Sequence, residues 1–133
     1  MSDPKETVRR GSGKIARLKV LDFSADRSLA ISGFGSRAAS AVPLTLPAGD
    51  AHVVCLRLGA GGLLGRHPAS VDQLFVVVDG AGWAKGADGE RIPVSAGTAI
   101  HWDAGEEHES GSDSGLTAIV VESEGLVPHL RDG

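Results

Sequence analysis

Apolar and polar residues alternate along this chain in short runs, and Gly, Pro, Asp and Ser residues separate one run from the next. Alternation with a period of two is typical of β-strands, and no long segment carries the 3.6-residue period of an amphipathic helix. Short strands joined by frequent turns predict an all-β sandwich or barrel. The predicted strands cover residues 15–23, 28–34, 42–46, 52–58, 73–78, 82–86, 91–94, 98–102, 107–110 and 116–122.

The strongest of these strands covers residues 73–78 and is apolar on both faces. Gln73, Phe75 and Val77 share one face, and the alternate residues of the strand are Leu and Val. A strand that is apolar on both sides is covered on both sides, and in a small barrel the outer cover is a second chain. We therefore expect a homodimer. The segments 35–41 and 59–65, rich in Gly and small residues, are predicted as loops.

Length and composition restrict the possible function classes. The chain has 133 residues, which suits one domain over residues 15–127 between tails at 1–14 and 128–133. Acidic residues outnumber basic ones 17 to 13, and the resulting charge of −4 argues against binding to nucleic acid or to anionic membranes. The single cysteine excludes an intrachain disulfide. With neither a long apolar run nor an apolar leader, the sequence predicts a cytoplasmic protein.

Two glycine-framed segments each carry one histidine. In the first, His67 follows Gly61 after five residues, Gln73 follows His67 after five more, and Gly80 follows Gln73 after six. In the second, Gly97, Asp103 and Gly105 precede His108 at intervals of five, one and two residues. The Asp88-Gly89 hairpin turn lies between the two segments.

This arrangement resembles the two-motif signature of the cupin superfamily over residues 50–122. The first cupin motif places two histidines and a glutamate between its outer glycines, and the second places a histidine after a Pro-x-Gly turn. The resemblance implies a single-domain cupin jelly-roll barrel, also called a double-stranded β-helix. Cupins include oxygenases, isomerases, decarboxylases and proteins without catalytic activity, so the fold alone does not identify the function.

The chain departs from the motif at two of the expected metal-ligand positions. A typical cupin metal centre has three histidines and one glutamate, but here Ala69 replaces a histidine and Gln73 replaces the glutamate. The resemblance implies that His67, Gln73 and His108 are the remaining ligands. A neutral donor set holds a divalent ion less tightly, so Zn, Ni, Mn or Fe would be weakly bound or absent. Side chains close to His108 in the sequence could supply a further ligand, namely His101, Glu106, Glu107 and Glu109.

Two functions are compatible with the sequence. The first is a metal-dependent enzyme of oxygenase, isomerase or lyase type that acts on a small molecule in the barrel. The second is a non-enzymatic cupin that binds a metabolite or a partner without a tightly held metal. Arg57 and Arg66 flank the glycine-rich segment and could contact an anionic ligand, although surface ion pairs are the commoner role. No motif identifies a catalytic nucleophile, a phosphate-binding loop or a dinucleotide site.

Overall fold

The computed structural model describes residues 18–19, 21–45 and 50–132, which form eight strands and two single-turn 3-10 helices. The predicted all-β barrel is confirmed. None of the helices in the described part of the chain is long and apolar enough to span a membrane. The strands are β1 (Leu29–Ala30), β2 (Arg37–Pro43), β3 (His52–Pro68), β4 (Gln73–Lys85), β5 (Ile92–Ser95), β6 (Ala99–Trp102), β7 (Glu107–Ser112) and β8 (Leu116–Glu122); the 3-10 helices are Ala25–Arg27 and Gly33–Gly35.

The two long strands, β3 and β4, join the two sides of the barrel. The first half of β3 pairs with β8 and its second half pairs with β7, always antiparallel. Strand β4 likewise pairs with β6 and β8 in its first half and with β5 and β7 in its second half. Strands β1 and β2 extend the sheet beyond β3. Because both long strands pass from one set of partners to the other, the sheet closes around a common interior.

Glycines allow the long strands to bend where the sequence predicted interruptions. Residues 59–65 continue β3, and β4 runs from Gln73 through the expected turn at residue 80 to Lys85. Gly80 has φ +80°, and a Cβ there would lie 2.2 Å from the Gly115 carbonyl oxygen. Only glycine fits such a close approach with that backbone conformation. The predicted loop at 59–65 is therefore wrong, because glycine here bends a strand without ending it.

Other differences lie in the first third of the chain. The predicted loop at 35–41 overlaps β2, while the predicted strand 28–34 is reduced to β1 at Leu29–Ala30. Gly33 and Gly35 flank Phe34 in a 3-10 turn, which interrupts that strand. The predicted strand 15–23 is not a strand at its described residues, and the rest of it lies outside the described residues, as do positions 1–14.

The barrel interior is filled by the alternate side chains that face inward from the paired strands. Phe75 and Val77 of β4 are each 1% exposed, whereas Val78, which points the other way, is 51% exposed. Cys55, the single cysteine, is fully buried as a free thiol. The core cluster consists of Ala39, Leu56, Leu58, Phe75, Val77, Ala84, Val94, Trp102, Leu116, Ala118 and Val120.

Candidate functional site

Two histidines from different strands meet at one end of the barrel. His67 of β3 and His108 of β7 are direct partners in the antiparallel register, and their ring centroids lie 4.3 Å apart. The register of this strand pair shifts between Leu64 and His67, so the pairing at the histidines resumes after an irregularity in β3. Backbone pairing, and not a loop, therefore brings the two imidazoles together.

Backbone carbonyl groups fix the tautomer of both neutral rings. The Nδ1 atom of His67 lies 2.7 Å from the Gly65 carbonyl oxygen, and that of His108 lies 3.1 Å from the Glu106 carbonyl oxygen. A carbonyl oxygen only accepts hydrogen bonds, so each Nδ1 donates its proton. In the neutral rings Nε2 is then left with a free lone pair. The Nε2 atom of His108 is buried and has no hydrogen-bond partner among the residues that the structure describes.

His108 is enclosed by aromatic rings. It is 2% exposed, and its ring centroid lies 4.3 Å from that of Trp102, whose own centroid lies 5.4 Å from that of Phe75. Burial lowers the pKa of His108, because a charged imidazolium loses its hydration there; the hydrogen bond to the Glu106 carbonyl opposes this effect. The imidazole of His108 is therefore neutral at pH 7 and is an acceptor or a metal ligand through Nε2.

Gln73 belongs to a row of polar side chains that crosses three strands. In the register, Gln73 of β4 is opposite Glu122 of β8, which is in turn opposite His52 of β3. The Gln73 Nε2 atom donates to Glu122 Oε2 at 2.9 Å, and His52 Nδ1 lies 3.2 Å from Glu122 Oε1. Gln73 is 7% exposed. Its amide nitrogen is committed to Glu122, which leaves its carbonyl oxygen as the free end of the side chain.

His67, Gln73 and His108 all line one cavity of about 120 Å³ inside the barrel. Glu122 also lines this cavity and was not among the predicted site residues. Strand alternation could have found it, because Leu116, Ala118 and Val120 precede it on the same inward face. Among the described residues, the lining consists of Ile31, Ala41, Val54, Leu56, Leu64, His67, Gln73, Phe75, Trp102, His108, Ser110, Val120 and Glu122. The cavity thus combines apolar walls with a few polar groups, as small-molecule sites do.

The glutamates that flank His108 in the sequence have other contacts. Both carboxylate oxygens of Glu106 accept backbone N–H groups, from Asp103 at 3.1 Å and from Ala87 at 3.3 Å. Glu107 pairs with Arg66 at 3.4 Å, and Glu109 pairs with Lys85 at 3.5 Å. None of these three glutamates is part of the cavity lining. The carboxylate that adjoins the site is Glu122.

The 3-10 turn at Gly33–Gly35 covers His67. The rings of Phe34 and His67 are stacked with centroids 4.3 Å apart and an interplanar angle of 13°. Phe34 has φ +61°, a left-handed conformation that is uncommon for residues other than glycine. The turn lies directly against Gly65, where a Cβ would sit 1.7 Å from the Phe34 carbonyl oxygen. A backbone contact and an aromatic stack therefore hold this turn over His67.

A second group of metal-ligating side chains lies outside the barrel cavity. Among the described residues, one set of three or more His, Cys, Asp or Glu groups has ligand atoms within 4.8 Å of one another: Asp72, His101 and Asp103. His101 pairs with Leu74 in the register, on the face of β4 opposite to Gln73. The oxygens of Asp72 accept the backbone N–H groups of Ala104 and Gly125 at 2.9 Å each, so this carboxylate already joins two turns.

The two arginines that flank the glycine-rich segment do not line the barrel cavity. Arg57 donates to the Ser28 hydroxyl at 3.2 Å and to the Phe23 carbonyl at 2.9 Å, while Arg66 pairs with Glu107. Arg57 instead borders an open groove of about 860 Å³, together with Arg37 and Asp79. The barrel cavity therefore has neither of these positive charges in its wall.

Comparison with protein families agrees with this architecture. The family described as Cupin domain matches residues 45–123, which cover the motif segments and strands β3 to β8. No curated protein sequence matches the chain significantly.

Solved structures of similar shape extend the comparison. A predicted oxalate decarboxylase from Thermotoga maritima has a TM-score of 0.70 at 20% identity, covering 80% of this chain and 99% of that one. The polyketide cyclase RemF from Streptomyces resistomycificus has a TM-score of 0.70 at 15% identity, covering 85% and 89%. KdgF from a Halomonas species has a TM-score of 0.59 at 21% identity, covering 70% and 84%. At these identities the similarity establishes the fold.

Proposed function

Because the chain belongs to the cupin family, we propose that it binds a small organic molecule in the barrel cavity, beside a divalent transition metal held weakly by His67, His108 and Gln73. The observation that carries this proposal is the buried, unpartnered Nε2 atom of His108 in a cavity that Gln73 and His67 also line. A buried nitrogen lone pair without a partner is costly. A metal ion or a ligand donor group would satisfy it.

The donor set fits a metal, but with limited affinity. Two imidazole nitrogens and an amide oxygen are suitable ligands for Zn, Ni, Mn or Fe, yet none of them carries a negative charge. Glu122 compensates in part for the missing negative charge. Its carboxylate accepts a hydrogen bond from the Gln73 amide nitrogen and so orients the amide. When bound, the metal would polarise an oxygen or nitrogen atom of the ligand as a Lewis acid. The polyketide cyclase and the predicted oxalate decarboxylase of the same fold support an enzymatic role, of oxygenase, isomerase or lyase type.

A metal-free binding protein is the second candidate. It is favoured by the absence, among the described residues, of a third His, Cys, Asp or Glu ligand within 4.8 Å of the His67 and His108 pair. In that case the cavity would hold its ligand by hydrogen bonds to the two imidazoles and by contact with the apolar wall. The two candidates differ in one measurable property, the binding of metal at His108.

Calorimetric titration of the full chain with zinc, after treatment with a chelator, distinguishes these candidates. We expect micromolar binding that is lost in His108→Ala and in His67→Ala. The matched control is His101→Ala, which removes the imidazole of the outer cluster and leaves the barrel unchanged. Binding that persists in His108→Ala but disappears in His101→Ala would place the ion on the outer cluster and contradict the barrel site. No zinc binding at all would favour the metal-free candidate.

We also propose that the chain forms a homodimer through the outer face of β4 and β8. Leu74 and Val76 of β4 point outward, and their register partners on β8 are Val121 and Ile119. Val78, on the same face of β4, is half exposed. An apolar sheet face of this kind favours a second copy of the chain as its cover.

A further inference from the structure

The polar groups of the barrel cavity are mainly hydrogen-bond acceptors. His67 and His108 donate through Nδ1 to backbone carbonyl groups, so each retains an acceptor nitrogen at Nε2. The Gln73 amide nitrogen donates to Glu122, so the amide retains its carbonyl oxygen. The Glu122 carboxylate is itself an acceptor. The remaining polar groups of the lining are the Ser110 hydroxyl, which can donate or accept, and the Trp102 indole N–H.

The charge of the cavity wall is negative. Like the acceptor groups, it favours a ligand that donates hydrogen bonds. Glu122 contributes a carboxylate, and the described lining contains no Lys or Arg. An anionic ligand would place its charge beside Glu122 without a countercharge in a largely apolar cavity, which costs free energy. A cation would instead pair with the carboxylate and donate hydrogen bonds to the imidazoles.

Aromatic rings add a second feature that suits a cation. Trp102 and Phe75 both line the cavity, and their ring centroids lie 5.4 Å apart. The faces of aromatic rings attract ammonium groups, and this attraction strengthens when the cation is removed from water. The cavity volume of about 120 Å³ limits the size of the ligand. A cavity of about 150 Å³ accommodates benzene, so a ligand here has about six non-hydrogen atoms or fewer.

We propose that the metal-free barrel cavity selects a small organic ammonium ion, bound to the Glu122 carboxylate and to the unpartnered Nε2 atom of His108, over carboxylates of similar size. This inference rests on the proposed function in that it requires the cavity to be the ligand site, but it does not require a metal. A divalent ion would compete for the same acceptors, so added zinc would weaken the binding of an ammonium ion.

Three probes of similar size, each with a three-carbon chain, test the proposal on the chelator-treated full chain: propylammonium, 1-propanol and propionate. Binding is followed by titration at about pH 7.5, where the ammonium and the carboxylate are both charged, using the ring resonances of His67 and His108. We expect propylammonium to bind at least about tenfold more tightly than propionate, the effect of one charge-assisted hydrogen bond. The Glu122→Gln variant should lose that preference and bind 1-propanol as the unmodified protein does, which shows that the cavity is intact.

His52→Ala is the matched control, because it removes the other partner of Glu122 and keeps the carboxylate. The ammonium preference should persist in this variant. Equal binding of propylammonium and propionate, or tighter binding of propionate, would overturn the inference and leave the cavity as a ligand site. If none of the three probes perturbs the two histidines, the inference is also overturned, and the zinc titration decides separately whether the barrel site exists.

Discussion

His67 and His108 are direct cross-strand partners on β3 and β7, with ring centroids 4.3 Å apart, and each ring donates Nδ1–H to the backbone carbonyl group two residues before it. This arrangement fixes the orientation of both rings through the backbone. Because the anchors are carbonyl groups and not side chains, single substitutions elsewhere in the cavity leave the two imidazoles in place. Variants of Gln73, Glu122 and Phe34 therefore test separate properties of the same site.

The first prediction concerns Gln73→Glu, which restores the carboxylate of the usual cupin motif. The substitution replaces the donor of the 2.9 Å hydrogen bond to Glu122 with a second carboxylate. The lost donor and the repulsion between the two carboxylates should both destabilise the metal-free protein. The expected loss is about 1–3 kcal/mol, the cost of a buried acceptor left without its donor. Zinc should bind at least about tenfold more tightly than to the unmodified protein, because the ion neutralises the pair. Calorimetry and thermal unfolding with and without zinc measure both effects.

The double variant Gln73→Glu/Glu122→Gln is the control for this prediction. It exchanges the two side chains, so that the amide nitrogen at position 122 donates to the carboxylate at position 73. Stability without metal should return, while the gain in zinc affinity remains because the carboxylate now belongs to the ligand position. An unchanged zinc affinity in both variants would show that position 73 is not a metal ligand.

The second prediction is a dependence of stability on pH. Burial lowers the pKa of His108 below its ordinary value of 6.5, so the unfolded chain takes up a proton at a higher pH than the folded chain. Between these two pKa values the unfolded state binds more protons, and stability falls as the pH falls. The free energy of unfolding should therefore decrease from about pH 6.5 downward. Denaturant unfolding in the presence of a chelator, at several pH values between about 7.5 and 5.5, measures this decrease.

His108→Asn removes the titrating group and keeps an amide that can donate to the Glu106 carbonyl. Its stability should depend less steeply on pH than that of the unmodified protein. His129→Asn, at an exposed position near the end of the chain, should leave the original dependence unchanged. Parallel curves for all three proteins would refute the assignment of the acid sensitivity to His108.

Much of the fold follows from the sequence because strand alternation and turn residues are local signals. Strands β5 to β8 agree with the predicted segments within two residues at each end. The predicted breaks at residues 59–65 and at Gly80 are wrong for one reason, which is that glycine was taken to end strands. Gly80 and Gly65 instead allow a long strand to bend or to approach another segment closely, and such a contact depends on parts of the chain that are distant in sequence. The same limitation explains the missed continuation of β3 through residues 59–65.

The candidate site could be predicted only in part. The spacing of the cupin motifs pointed to His67, Gln73 and His108, and the structure places all three at one cavity. Glu122 lies outside both motifs. Strand alternation could have placed it on the inward face of β8, but its contact with Gln73 depends on the register of β4 and β8, which sequence alone does not provide. Phe34 is hidden for the same reason: its stack on His67 depends on a turn that folds back over β3. Tertiary pairing, and not local pattern, determines these contacts.

The third prediction separates backbone strain from aromatic stacking at Phe34. Phe34→Ala and Phe34→Gly both remove the stack on His67, but only glycine adopts φ +61° without penalty. Phe34→Gly should be more stable than Phe34→Ala by about 1 kcal/mol, the cost of a left-handed conformation for a residue with a Cβ. Chemical denaturation of the two variants measures this difference. If the alanine variant is the more stable one, the turn at Gly33–Gly35 is not held in a left-handed conformation in solution.

The fourth prediction concerns assembly. If two copies pack through the outer face of β4 and β8, light scattering should give a mass of about twice 13.6 kDa. Val78→Asp places a charge on this face, where the valine is 51% exposed in the single chain. It should convert the dimer to a monomer because an unpaired buried carboxylate is costly.

Ile92→Asp is the matched control, since Ile92 is 46% exposed but belongs to β5, which pairs with the second half of β4. That variant should remain dimeric. A monomeric mass for the unmodified chain at micromolar concentrations would refute the dimer, and dissociation by Ile92→Asp alone would move the interface to β5.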